Sequence, residues 1–150
     1  MILVPISLGE LIDKITILKI KLLKITDPKK ISNVQKEYDL LYSILLKQNL
    51  HTVECSSGSN GDEHLSLHDE QNIYFKKLYD INLKFWEYHD WQREKWRNLN
   101  NNDNIIDIEL YKQNKHEHIL NDERAEIKKQ INILFKSDIV EEKQFISYNI

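Results

Sequence analysis

Apolar residues recur every three or four positions from Leu8 through Leu11, Ile12, Ile15, Leu18 and Leu22 to Ile25, the spacing of one face of an α-helix. Ser7, with Glu10 three residues on, forms a capping box at its start. Asp27-Pro28 closes this run and opens a second, with Asp as cap and Pro at the first helical position. The second run carries Ile31, Val34, Tyr38, Leu41 and Leu45, so the first two helices are predicted to form a short-looped antiparallel pair. From about residue 49 to residue 63 the pattern fails, and Ser56 to Gly61 reads as a flexible loop.

A third helix is predicted from about Leu67 to Asn98, opened by Ser66 and Asp69 as a weaker cap. Tyr74, Leu78, Ile81, Phe85 and Tyr88 mark one of its faces, and Phe75, Tyr79, Leu83 and Trp86 a second. A helix apolar on two sides is usually packed on both, which predicts a central place for it. After a polar break, a fourth helix is predicted from about Ile105 to His118. A fifth runs from Asn121 or Asp122 to Phe135, with Ile127, Ile131, Leu134 and Phe135 turned inward. The tail from Ser137, with Val140, Phe145, Ile146 and Tyr148, is predicted to lie back on the bundle. The fold class is therefore all-α: one domain of about five helices around one long central helix.

Composition sharpens this picture. Only three glycines and two prolines interrupt 150 residues, too few for the tight turns of an all-β design. With 41% apolar and 30% charged residues, the chain can bury a core and keep a solvated surface. The net charge of −3 and the lack of a long basic run argue against nucleic acid as a partner. Cys55 is the one cysteine, which excludes an intrachain disulfide and fits a reducing compartment. No stretch approaches the roughly 20 apolar residues that span a bilayer, and the apolar start from Met1 to Ile6 is too short for a signal peptide. The expectation is a cytoplasmic protein without a membrane partner, with self-association left open.

Two polar stripes carry the candidate chemistry. Asn82, Trp86, Asp90 and Arg93 follow one another at helical steps on the third helix, and Asn121, Arg124, Lys128 and Asn132 do so on the fifth. Facing one another, they would line a shared cleft. Arg93, Arg124 and Lys128 would hold a phosphate or carboxylate, Arg by paired hydrogen bonds. Trp86 would stack on a ring, and Asn82, Asn121 and Asp90 would read hydroxyl groups. The plainer reading is a salt-bridge network between helices, Asp90 with Arg124 for example, that binds nothing. Glu10, Asp13, Lys14, Lys21 and Lys24 read as a solvated face of the first helix, with Glu10 paired to Lys14. Lys19, at the edge of its apolar stripe, is either a snorkelling side chain or a cation meeting a buried carboxylate or a ligand.

His64 and His68 stand four apart with Cys55 nearby, and His116-Glu117-His118 forms a second group. Neither comes with a motif that fixes a metal, so exposed histidines are the expectation, with no metal and no cofactor. A phosphate-binding glycine loop, a Gly-x-Ser-x-Gly elbow and a Cys–His nucleophile pair are all absent. The acidic pairs do not match the spacing of helical Mg²⁺-dependent nucleotide pyrophosphohydrolases, and the opening helix lacks the arginine of a helical chorismate mutase. Catalysis is left open.

The segment from Gly9 to Lys21, GELIDKITILKIK, resembles the signature of an uncharacterised domain family of bacteria, phages and large DNA viruses. Its pattern continues in the stretch from Asn82 to Arg93, in Asn121 to Asn132, and in Glu141-Glu142-Lys143. The resemblance spans nearly the whole chain. It departs at Lys19 and His89, where the family pattern has Glu. Members sometimes neighbour glycosyltransferases, which implies two functions from different classes. One is binding of a nucleotide-sugar or sugar phosphate. The other is a non-catalytic module that docks on a glycan-assembly protein or on itself through exposed aromatics such as Trp91 and Trp96.

Overall fold

The structure, a computed structural model, describes residues 2–48, 73–98 and 107–143. The predicted loop at 49–63, the start of the third helix, Cys55, His64, His68 and the tail beyond Lys143 lie outside the described residues. Among those described there are four helices and no strand: α1 (Leu8–Lys24), α2 (Pro28–Lys47), α3 (Ile73–Asn98) and α4 (Ile108–Leu134). The all-α class holds. Among the described residues no helix is long and apolar enough to cross a membrane.

The helix starts follow local chemistry. Ser7 caps α1, its hydroxyl accepting from the Glu10 N–H at 3.2 Å. Asp27 caps α2, accepting from the Lys29 N–H at 2.9 Å, with Pro28 at the first position. Asp107 caps α4 through the Leu110 N–H at 3.0 Å.

Two expectations are corrected. The predicted fourth and fifth helices are one, α4, because nothing between His118 and Asp122 forces a break. Asn121 and Asp122 favour caps but are tolerated inside a helix, and the neighbouring Leu120 is buried. The centre of the bundle is α1, not the third helix. α1 packs against each of the other three, α3 also meets α4, and α2 meets only α1. Nine of the 17 residues of α1 are buried. In α3 burial is confined to Phe75, Leu78, Ile81 and Asn82 in its first half, so its second apolar face is only half-covered. Ile12, Ile15, Leu45, Leu78 and Ile131 form the solvent-free middle of the core.

Contacts at rising positions on α1 meet falling positions on α4, so the two run antiparallel: Gly9 with Asn132, Glu10 with Lys128, Asp13 with Arg124. They come close because Gly9 has no side chain. A Cβ there would stand 2.5 Å from the Lys128 carbonyl oxygen and 3.0 Å from Asn132 Oδ1. The Gly9 N–H instead donates to Asn132 Oδ1 at 2.7 Å, deep in the interface.

α4 ends at Leu134, and two residues on stands Lys136, the one described residue other than glycine with positive φ (51°). The Ser137 N–H bonds back to the Asn132 carbonyl at 2.8 Å and the Lys136 N–H to that of Ile133 at 3.2 Å, the paired bonds of a Schellman stop. Ser137 then accepts from the Leu8 N–H at 3.2 Å, which ties the end of α4 to the start of α1.

Gly9→Ala is expected to destabilise the fold by about 1–3 kcal/mol, since backbone rather than a movable side chain opposes the added methyl. Urea denaturation checks this, and an unchanged midpoint would contradict the close approach.

Candidate functional site

The polar residues of the α1–α4 interface form one connected seam. At its centre is Asp13, 1% exposed. Its carboxylate accepts from Arg124 Nε at 2.8 Å and from Arg124 Nη2, a paired geometry, and from Asn82 Nδ2 of α3 at 2.8 Å. Asn82 Nδ2 also donates to Thr16 Oγ1 at 2.9 Å, while the Thr16 hydroxyl donates to the Asp13 carbonyl at 2.7 Å. The buried carboxylate is thus fully met by donors from two other helices, which makes its burial tolerable. The hydrogen bond to Asp13 is the main cause that pushes the Arg124 guanidinium above its ordinary pKa.

One turn along, Lys128 Nζ lies between Glu10 Oε2 at 2.7 Å and Glu141 Oε2 at 2.8 Å. Burial works against the charge on Lys128, but the two carboxylates outweigh it and raise its pKa. The hydrogen bond from Lys128 in turn holds the Glu141 carboxyl below its ordinary range. Glu142 pairs with Lys129 at 2.8 Å, so residues 137–143 lie back along α4 as an ionic strap.

The seam gathers residues that the sequence assigned elsewhere. Asp13 and Glu10 belong to the interface and not to a solvated face, and Glu10 pairs with Lys128. Arg124 pairs with Asp13 instead of Asp90. A signal was present: Gly9 and Thr16 flank Asp13 at four and three residues, so one face of α1 carries two small residues around an acid. Lys19 stands 5.7 Å from the centre of the Phe75 ring.

Beside the seam a cleft of about 460 Å³ opens between α1, α3 and α4. Ile17 forms its α1 wall; Asn82, Phe85, Trp86 and His89 come from α3; Glu117, His118, Asn121 and Arg124 come from α4. Its volume falls within the roughly 300–1,000 Å³ typical of small-molecule sites. Four of the seven residues named from helix spacing meet here: Asn82, Trp86, Asn121 and Arg124. The other three do not. Arg93 is 69% exposed at its side chain and pairs with Asp90 at 3.3 Å on the surface of α3, and Lys128 is held in the seam. Each cation named for an anion is thus already engaged by a carboxylate. Arg124 uses Nε and one hydrogen of Nη2 on Asp13, which leaves both hydrogens of Nη1 and the second of Nη2 as further donors.

Spacing missed Phe85, His89, Glu117 and His118. His89 Nε2 lies 3.1 Å from Glu117 Oε1 and joins α3 to α4 across the cleft. Glu117 also lines a neighbouring cleft of about 300 Å³ with Tyr88 and Trp91, and Lys95 Nζ sits 5.5 Å from the Trp91 ring centre. Among the described residues no His, Cys, Asp and Glu side chains group as a metal site. No family model, curated protein or solved structure matches the chain.

Two outcomes test the seam. Asp13→Asn and Arg124→Met are each expected to cost about 3 kcal/mol, because either change strands a partner, and the double variant should cost clearly less than their sum. Additive costs in urea denaturation would show that the two groups are not coupled. The second concerns pH. Because the folded pKa of Glu141 is lowered, its tie to Lys128 is complete above the ordinary glutamate value of 4.5 and is lost as pH falls through the folded value. Carboxyl-carbon NMR should give Glu141 a midpoint below 4.5, rising in Lys128→Met. An equal midpoint in both proteins would deny the strap its ionic tie.

Proposed function

We propose that this protein binds a small phosphorylated sugar or nucleotide-linked sugar in the cleft between α1, α3 and α4. The reading is supported by one observation above others. Trp86, Asn121 and Arg124, named from helix spacing as ring-stacking, hydroxyl-reading and anion-holding groups, line a single recess of ligand size. In this reading the Trp86 indole stacks on the sugar or base, since a flat apolar face with few torsions binds rings at low entropic cost. Asn121 and Glu117 exchange hydrogen bonds with hydroxyl groups. Arg124 offers Nη1 to a phosphate oxygen, its plane already fixed by Asp13. Asn82, with its amide donors on Asp13 and Thr16, positions Arg124 instead of reading the ligand. Arg93, Asp90 and Lys128 drop out of the ligand set. The neighbourhood that comes with the family resemblance points the same way, to a cytoplasmic role in glycan assembly.

A second reading, a non-catalytic interaction module, is favoured by apolar exposure. Trp96 is 50% exposed, and Ile2 and Leu3 are 89% and 80% exposed. Trp91, the other aromatic named for that surface, is instead covered by the Tyr88 ring on a stacked contact of 5.9 Å and by Lys95.

UDP-glucose at ten times its Kd is expected to stabilise the fold by about 1.4 kcal/mol, a rise of several degrees in Tm. Trp86→Ala should abolish that response, read as the shift from the variant's own Tm without ligand. Thermal denaturation with UDP-glucose and glucose 1-phosphate at millimolar levels checks this. No shift with either, together with concentration-dependent mass in light scattering, would favour the interaction module.

A further inference from the structure

The fixed charges around the cleft do not favour an anion. The Arg124 guanidinium is cancelled by Asp13 directly behind it, and Glu117 adds a negative charge at the wall. With both cleft imidazoles neutral the lining therefore carries one net negative charge, and with both protonated one net positive charge. The surrounding groups add fixed charges and leave the pH-dependent part of that balance to the histidines. On α1, Lys24 reaches Glu87 of α3 at 3.9 Å, and Lys21 stands one turn from Ile17. On α3, Asp90 is paired with Arg93, and burial, followed by the charge of Glu117, raises the Tyr88 hydroxyl away from ionisation. Acidic, lysine and arginine side chains ordinarily hold their charge across neutrality, whereas imidazole does not.

Hydrogen-bond polarity gives a second and sharper argument. The Glu117 carboxylate can only accept, so His89 Nε2, 3.1 Å away, must carry a proton to bond it. In the neutral ring this fixes the tautomer, with the proton on Nε2 and a lone pair on Nδ1, and a lone pair repels any phosphate oxygen that approaches it. Protonation turns Nδ1 into a donor without breaking the bond to Glu117, and it supplies the missing positive charge at the same atom group. His118 follows Glu117 in sequence, lines the same cleft and is exposed, so its ring can meet a ligand without a change in the packing of the bundle.

Resting on the reading of the cleft as a site for a phosphorylated ligand, we infer that His89 and His118 select the anion, so that a diphosphate-bearing ligand binds together with protons taken up by these two side chains. Affinity for such a ligand then falls as pH rises through the histidine range. The cleft discriminates a phosphorylated sugar from its uncharged counterpart on the acidic side of neutrality and loses that preference on the alkaline side.

UDP-glucose is a suitable probe, because its doubly substituted diphosphate keeps its charge over the range. Isothermal titration calorimetry of the full chain at pH 5.5 and pH 8 should give a Kd that rises roughly tenfold or more. His118→Gln, a change at an exposed position, should remove part of that dependence, and His89→Gln with His118→Gln nearly all of it. In buffers of different ionisation enthalpy, binding near neutrality should show net proton uptake that vanishes in the double variant. Equal affinity at both pH values would overturn the inference while leaving the cleft reading intact, as would a double variant that keeps the wild-type dependence. Absence of binding at either pH would remove the cleft reading and this inference with it.

Discussion

The arrangement of this bundle depends on one buried ion pair. Asp13 lies on the central helix with almost no contact with solvent, and an isolated carboxylate there would cost several kcal/mol in lost hydration. Arg124 from α4 and Asn82 from α3 together supply the donors that offset that cost, and they do so only if both helices stand in a particular register against α1. Apolar packing alone is permissive about sliding and rotation. A bidentate guanidinium–carboxylate contact is not, because both nitrogens must meet both oxygens in one plane. The pair therefore acts as a registration device as well as a contact.

That registration builds the surroundings of the cleft. With α4 fixed against α1, Gly9 meets the Lys128 backbone at a distance no side chain allows, and Lys128 falls between Glu10 and Glu141. With α3 fixed by Asn82, Phe85 and Trp86 come to face Asn121 and Arg124 across a gap that apolar side chains do not fill. The Arg124 side chain also lies near the Phe85 ring, 5.9 Å from guanidinium carbon to ring centre, so the same residue belongs to the seam and to the cleft wall. A group held this rigidly on one edge presents its other edge to a ligand at little further entropic cost. Packing and preorganisation are thus linked at the cleft wall, whereas Arg93 and Lys129 are exposed and paired with carboxylates at the surface.

The strap formed by residues 137–143 extends the same logic. The chain leaves α4 through a Schellman stop at Lys136 and is then held by Glu141 and Glu142 on two successive lysines of that helix. These contacts are partly exposed and individually weak. Glu141 differs in closing the buried side of Lys128, whose charge is otherwise balanced by Glu10 alone. The Glu-Glu-Lys stretch near the end of the sequence thus has a structural role independent of any ligand.

How much of this was legible in the chain divides along a physical line. Local features were: the Ser7 and Asp27 caps, Pro28 at the start of α2, the apolar periodicity of α1 and α2, and the inward stripe of Ile127 and Ile131 each depend on residues within a turn or two of one another. The absence of strands among the described residues was legible too, from the scarcity of glycine and proline. Sequence also placed Asn82, Trp86, Asn121 and Arg124 on facing stripes, because a helix projects such residues to one side wherever it sits. It could not say which helix would be central, since that depends on which apolar faces find partners; α3 has two such faces and α1 has three neighbours. It could not say whether Asp13 faced water, because a carboxylate is buried only when a distant residue reaches it, and Arg124 lies 111 positions away in the chain. Nor could it give the charge of the cleft. Arg124 reads as an available cation until Asp13 is found behind it, and His89 reads only as a departure from a family pattern until Glu117 is found 28 positions on. Spacing along one helix determined which groups could share a face; only the packing of three helices determined which of their charges were already met.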